Sequence, residues 1–429
     1  MHCTPIENWI MSKTGIKSRS REELKSYQLY KIKQTICYAK KHSVFYKKYL
    51  KGIAENEINS FENFENIPFT LPQHVEHNSI DFLCVPQKYI SRIVTLRTSG
   101  TSGSEKRIYF TDNDLKLTVD FFYSGMKSVV DEDDKVLILM PGNTYGSIGH
   151  LLKAALDVLE VKCFIGDVIK DYADTAEFIK DKAISCIIGI PIQILKLSRI
   201  YPEIFGDNIK NILLSADYVP EVLIKEITDK FDCRVFTHYG MTEMGYGGGV
   251  ECENLNGYHL REGDLYFEII DPVSKKALKP GKQGEVVFTT LTREGMPLIR
   301  YATGDIASFK KENCKCGTFL QTMDRVTGRE DNIIRFNGNK FIHMKDLDEV
   351  ILSFEKVMDY KISIYEDKTT IGINTLTVED FYRLRNIVAD AVQTIIPDKI
   401  MVYYLKKNIE IKNSMLKRKI YDCRKKVLK

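Results

Sequence analysis

Beyond Thr95 short apolar runs alternate with amphipathic stretches: VLILM at Val136–Met140, VKCFI at Val161–Ile165, ISCIIGI at Ile184–Ile190, NILLSA at Asn211–Ala216 and CRVFTHYG at Cys233–Gly240. Five such runs separated by stretches of helical period predict buried strands with helical crossovers, hence a largely parallel sheet flanked by helices. Ahead of them, Arg21 to Leu50 reads as one long helix whose apolar stripe is Leu24, Tyr27, Tyr30, Ile32, Ile36 and Ala39. At Gly257 the period changes: YHLREGDLYFEIIDP, the turn residues Lys279, Pro280 and Gly281, then GEVVFTTL predict antiparallel strands joined by a turn. A third change falls at Gly328 to Asn332. After it, strands at Tyr360–Tyr365 and Thr370–Thr375, a helix at Val378–Thr394 and a strand at Ile400–Leu405 form a small α+β unit.

The expected fold class is therefore α/β. A large N-terminal domain, 1–328, holds parallel-rich sheets with helices and a small β subdomain at about 250–328; a small α+β domain spans 329–429. The chain has 429 residues, 44% apolar and 28% charged, which excludes collagen-like, mucin-like and wholly disordered classes. At roughly 150 residues per domain, two or three domains are expected. The longest apolar candidate, Ala183 to Leu195, falls short of the roughly 18 residues of a membrane span and is broken by Ser185, Gly189, Pro191 and Gln193, so it reads as a strand passing into a helix. The N-terminal stretch lacks a long apolar core followed by small residues, so a cytoplasmic location is expected.

The net charge of +4 is unevenly placed: Leu405 to Lys429 carry ten Lys or Arg against Glu410 and Asp422, or +8, leaving −4 on the rest. Basic residues confined to one terminal segment argue against a nucleic-acid protein; the segment is either a solvated tail or a phosphate-binding one. The ten cysteines read as buried small hydrophobes or metal ligands. Cys252, His259, Cys314 and Cys316, spaced C-x6-H and C-x-C, offer three thiolates and an imidazole, the closed donor set of a structural zinc.

Between the strands IVTL and RIYF lies Thr98-Ser99-Gly100-Thr101-Ser102-Gly103-Ser104-Glu105-Lys106. Its glycines allow positive φ and inward-turned N–H groups, its hydroxyls add donors, and Lys106 adds a point charge, which together suit a phosphate. The spacing is not that of a Walker loop, since Gly100 and Gly103 are three apart and no Ser or Thr follows Lys106.

TSGTSGSEK, HYGMTEMG at His238–Gly245, RYATGD at Arg300–Asp305 and GREDNIIRFNG at Gly328–Gly338 stand in one order along the chain. In order and spacing they resemble the acyl-adenylate-forming superfamily of acyl-CoA synthetases, adenylation domains and luciferases. The stretch VECENLNGYHL…GEVVFTTLTREGMPLIRYATGD more closely resembles the phenylacetate–CoA ligase branch, and the likeness covers about Val94 to the C-terminus. The resemblance implies an AMP-forming acid–CoA ligase that uses ATP, Mg²⁺ and coenzyme A on a small carboxylate, an aryl or arylacetic acid such as phenylacetate. Transfer of the acyl group to a carrier protein or other acceptor, and a non-catalytic nucleotide-binding scaffold, remain alternatives. No nucleic acid and no membrane span is expected; a second copy of the chain is a candidate partner.

The resemblance also assigns residues. Thr98, Ser99, Gly100, Thr101, Ser102, Gly103 and Lys106 would contact phosphate. Tyr239, Gly240 and Met241 would lie by the adenine, with Ser215, Ala216 and Asp217 beyond it. Thr242 would sit near the α-phosphate and Glu243 would hold Mg²⁺. Asp305, at a turn after a strand, would expose two acceptor oxygens to the ribose diol, and Arg329 would touch ribose and phosphate. Asp331 would be the hinge of a mobile C-terminal domain. Lys417 would be the adenylation lysine, although Leu416 stands where the family has glycine and Lys419 lies two positions on. Tyr145, Gly146, Ile148 and His150 would wall the acid, with Gly189, Ile190 and Pro191 opposite. Arg300 is given no role and is expected in a surface ion pair.

Overall fold

In the computed structural model the described residues are 3–97, 105–329, 333–336, 340–406 and 420–424. They fall into two compact units: Met1–Asp133, Pro141–Cys163 and Phe236–Val326 in the first; Asp134–Met140, Phe164–Val235 and Thr327–Lys429 in the second.

Antiparallel pairs dominate the described residues of the first unit. Leu265–Ile270, Gly284–Thr290 and Tyr301–Ala307 form consecutive antiparallel pairs, as the change of period at Gly257 predicts. Arg92–Arg97 pairs with Glu105–Phe110, so Lys106 lies opposite Leu96 at the start of the second strand. The end of strand Arg234–Tyr239 pairs with Gly249–Glu251, which pairs with Tyr258–Leu260, which pairs with Thr322–Met323. The helix Asp112–Met126 starts on a capping box in which Thr111 and Asp114 bond each other's backbone N–H. The same Asp114 carboxylate accepts the N–H groups of Glu294 at 3.0 Å and Gly295 at 3.1 Å, tying a distant loop to that helix end.

The expected helix from Arg21 to Leu50 is two helices, Arg21–His42 and Val44–Tyr49. Ser43 breaks it with an extended backbone (φ −90°, ψ 130°), and its hydroxyl accepts the Tyr46 N–H at 3.2 Å as the cap of the second helix. The buried face of the first helix is Leu24, Gln28, Ile32, Thr35, Ile36 and Ala39; Tyr30, expected in the stripe, points outward, 58% exposed.

The second unit holds the parallel strands Lys135–Leu139, Cys186–Gly189 and Asn211–Leu214 in successive register. The latter two are buried along their whole length, as strands covered on both faces must be. The C-terminal part pairs Val357–Ile364 antiparallel with Lys368–Thr375, and Lys399–Tyr404 lies parallel to the latter. With the helix Val378–Gln393, the expected α+β order is present. One apolar core runs through the unit, from Leu137 and Ile187 to Ile362, Val388 and Ile420. Arg199 joins its parts: its guanidinium pairs with Glu226 and bonds the carbonyls of Leu352 at 2.6 Å, Phe354 at 3.3 Å and Val357.

Candidate active site

Strand Arg234–Tyr239 ends in a tight reversal that sets Glu243 in place. Gly240 lies so close to the chain that a Cβ there would stand 2.0 Å from the Tyr246 carbonyl oxygen. Met241 opens, and Gly245 closes at φ +74°, a single 3-10 turn of Thr242–Met244. Glu243 is 3% exposed. Its Oε1 pairs with the Lys106 ammonium and accepts the Tyr301 hydroxyl at 3.1 Å; Lys106 also donates to that hydroxyl at 3.0 Å. Burial alone would push the Glu243 carboxyl up, but the Lys106 charge and its hydrogen bond, together with the Tyr301 hydroxyl, hold it down at about 2. Arg293 braces this arrangement, donating to the Glu243 carbonyl at 2.6 Å and the Tyr109 carbonyl at 3.1 Å while its guanidinium lies 4.4 Å from the Phe110 ring centroid. Sequence reasoning placed Lys106 and Glu243 in the site but passed over Tyr301 and Arg293. Tyr301 sits inside the RYATGD motif, which is the signal that would have found it.

Tyr239 and Asp305 also meet, the Tyr239 hydroxyl donating to Asp305 Oδ2 at 3.1 Å. Asp305 does not sit at an exposed turn after a strand, as expected; it is 2% exposed and within strand Tyr301–Ala307. Val287 faces Ala302 and Glu285 faces Ile306, so a step of two residues on one strand meets four on the other and the surplus is a bulge at Thr303–Asp305. Gly304 takes φ +75° there, its N–H donates to Glu285 Oε1 at 2.9 Å, and Thr303 Oγ1 accepts the Asp305 N–H at 3.0 Å. The bulge re-aims Asp305 toward Tyr239, whose ring stacks on Tyr258 with centroids 5.8 Å apart. Next to Tyr239, burial pushes His238 down to about 4, so its imidazole is neutral at physiological pH.

Arg300 is the second correction. It is 1% exposed, not at the surface; it grips Glu268 with two nitrogens at 2.9 and 3.2 Å and donates to the Ile67 carbonyl at 2.6 Å. Its guanidinium lies over the Phe69 ring at 4.2 Å, so partners far away in sequence bury it.

The expected acid-pocket positions of the first unit cluster at one helix start. Tyr145 is 53% exposed, donates to Asp112 at 2.8 Å and meets His150 edge-on at 5.2 Å. The Gly146 carbonyl accepts the Tyr246 hydroxyl at 3.1 Å, and Ile148 is the buried first residue of helix Ile148–Val158. In the second unit, the Ser215 N–H donates to the Gly189 carbonyl at 3.1 Å, Ala216 has φ +77°, and Asp217 caps the Tyr218 N–H at 2.8 Å. Ile190 and Pro191 begin helix Pro191–Ile200, and Arg329 is half-buried. Thr98, Ser99, Gly100, Thr101, Ser102, Gly103, Asp331 and Lys417 lie outside the described residues.

Cys252, His259, Cys314 and Cys316, dispersed over the sequence, come together with all ligand atoms within 4.8 Å of one another. His259 faces Val250 on one neighbouring strand and Thr322 on the other, Cys252 follows strand Gly249–Glu251, and the C-x-C pair closes at Gly317 with φ +79°. Cys252 and Cys314 sulfurs are 3.6 Å apart, and Cys316 Sγ is 3.8 Å from His259 Nε2. The hydrogen bond from His259 outweighs burial and brings the Cys314 thiol down to about 6. Arg19 donates to the Gly317 carbonyl at 2.6 Å and pairs with the buried Glu7, which pins the loop to the N-terminal segment. Such a donor set can hold a soft tetrahedral ion with no position left for water.

The crystal structure of 2-hydroxyisobutyryl-CoA ligase, in the postadenylation state in complex with 2-HIB-AMP, superposes with a TM-score of 0.80 at 18% identity, covering 95% of this chain and 93% of that one. The two chains share one fold. Among curated proteins, the phenylacetate-coenzyme A ligase of Thermus thermophilus is 26% identical over 385 residues, 86% of this chain and 84% of the relative. That of Escherichia coli is 26% identical over 353 residues, 79% of this chain and 78% of the relative. The expected likeness to the phenylacetate–CoA ligases therefore holds over most of the sequence. No family model matches the chain. No helix among the described residues is long and apolar enough to cross a membrane.

Proposed function

We propose that this protein is an AMP-forming acid–CoA ligase acting on an aryl or arylacetic acid such as phenylacetate. A carboxylate oxygen attacks the α-phosphorus of ATP, the bond to the β-phosphate oxygen breaks and pyrophosphate leaves. The coenzyme A thiol, losing its proton to solvent, then attacks the acyl carbon, and the C–O bond to AMP breaks. The observation that carries this reading is the pair of preformed contacts in one unit, Lys106–Tyr301–Glu243 and Tyr239–Asp305, in a chain similar to named phenylacetate–CoA ligases.

Both reactants of the first step are anionic, so catalysis must come from positioning and charge neutralisation. Lys106 supplies a cation for phosphate. Glu243, ionised at any physiological pH, is the residue to hold Mg²⁺, which would neutralise phosphate charge when bound; Thr242 stands beside it. Tyr239 and Asp305 form the nucleoside end, one a flat ring and the other a carboxylate suited to a diol. From the resemblance, Thr98, Ser99, Gly100, Thr101, Ser102, Gly103, Ala216, Asp217, Gly240, Met241 and Arg329 are further nucleotide contacts and Lys417 the adenylation lysine. The resemblance further implies domains 1–328 and 329–429 hinged at Asp331, a division different from that of the two compact units, and makes Tyr145, Gly146, Ile148 and Gly189 candidate acid contacts. Cys252, His259, Cys314 and Cys316 hold a structural Zn²⁺.

A panel of aryl, arylacetic and short aliphatic acids, assayed for AMP release with and without coenzyme A, tests the proposal. Acid-dependent AMP release stimulated by coenzyme A, largest with an aryl or arylacetic acid, is the expected result. Release equal in the presence and absence of coenzyme A rejects the ligase reading.

A further inference from the structure

The proposed chemistry needs Lys106 and Glu243 apart, one on phosphate and the other on a divalent ion, yet the structure pairs them. Lys106 and the Tyr301 hydroxyl converge on the same oxygen, Glu243 Oε1, and Lys106 bonds that hydroxyl as well. An ammonium and a divalent ion repel too strongly to share one buried carboxylate oxygen, so one displaces the other. The geometry shows which member moves. Glu243 is fixed at its backbone by Arg293 and is 3% exposed, whereas Lys106 is carried on a four-carbon stem at a strand start and its side chain keeps 12% exposure. Tyr301 cannot follow Lys106: it is 1% exposed, and its ring packs on Phe288 with centroids 5.4 Å apart.

We propose that Lys106 is the resident counter-ion of Glu243, released when phosphate oxygens offer it a better partner, and that Tyr301 is the positioning residue that keeps Glu243 oriented during the exchange. This rests on the ligase reading for the identity of the incoming groups. It makes nucleotide and divalent ion bind as a coupled pair, because without phosphate Lys106 stays on the carboxylate and blocks it. Once Lys106 leaves, Glu243 Oε1 still has the Tyr301 O–H as a donor, and the carboxylate does not turn.

The test uses Mn²⁺ as the probe, its binding to the full chain read by electron paramagnetic resonance without nucleotide. Lys106→Gln is expected to bind Mn²⁺ about tenfold more tightly than the wild type under those conditions. Equal binding by the two overturns the counter-ion role. Tyr301→Phe keeps the ring and its packing. In acid-dependent pyrophosphate exchange at saturating ATP it is expected to raise the half-saturating Mg²⁺ about tenfold, with KM for the acid unchanged and the thermal midpoint lowered by no more than a few degrees. A wild-type Mg²⁺ dependence in Tyr301→Phe overturns the positioning role. Should the wild type itself catalyse no such exchange, the ligase reading fails. The Mn²⁺ comparison then decides the Lys106 exchange, and the same Mn²⁺ titration on Tyr301→Phe with an unreactive ATP analogue present decides Tyr301.

Discussion

Two anionic clusters lie in the first unit, and they are neutralised in opposite ways. Glu243 has a cation of the protein's own, Lys106, on a long flexible stem. The four donors of Cys252, His259, Cys314 and Cys316 face one another, and the nearby Arg19 is spent on the Gly317 carbonyl and Glu7. A carboxylate that must trade its partner during turnover is served by a movable charge. A donor set that keeps its ion needs no substitute and is held by strand register and a closed loop instead. Under the two proposals above, charge placement separates a site of exchange from a site of retention.

The sharpest way to break this comparison is Glu243→Gln. It removes the charge toward which Lys106 is directed, and carboxylate-dependent pyrophosphate exchange is expected to fall by about 10²–10³. Zinc content, measured by metal analysis, stays stoichiometric. An equal fall in zinc would show that the two clusters are not independent.

The next effect lies on the other side. Cys314→Ser, or removal of the metal by a strong chelator, is expected to lower the thermal midpoint by roughly 10 °C, because the metal's binding energy is folding energy. Substoichiometric zinc in freshly purified protein, with Cys314→Ser harmless to stability, would refute retention.

The smallest effect concerns pH. Glu243 lies near 2 in the folded chain against an ordinary 4.5, so its stabilising contribution is complete above 4.5 and is lost as pH falls through about 2. Glu243→Gln should therefore flatten the loss of stability across that window, read by acid unfolding. No acidic limb of the exchange rate between about pH 5 and 8 should be traceable to this carboxylate. An unaltered acid transition in the variant would mean that the pair contributes nothing.

Local periodicity made much of the fold legible. The strands at Val357–Ile364, Lys368–Thr375 and Lys399–Tyr404 and the helix Val378–Gln393 stand where alternation and helical period place them. Ser43 did not announce itself, because the apolar pattern continues across it; only its capping bond to Tyr46 makes it a boundary. Arg300 looked like a surface charge because its partners, Glu268, the Ile67 carbonyl and Phe69, are supplied by tertiary contact. The TGD run read as a turn because glycine after threonine marks turns and bulges alike, and only the pairing with Glu285 and Val287 separates the two. Cys252, His259, Cys314 and Cys316 were legible as one donor set in their residue types, and the structure brings the four together. Lys106 and Glu243 stood out in the sequence as candidates for one site, and the structure brings them together. Their pairing was not legible, because residue type says which charges a site needs and not which of them rest on one another.

The crowding at Gly240 limits how this enzyme could be re-engineered. With a carbonyl oxygen where any methyl would go, random mutagenesis of the His238–Gly245 run should return glycine at that one place whatever acid is selected for. Under the proposed acid-pocket role of Tyr145, diversity aimed at a new substrate belongs at that helix start, where the side chain is half exposed.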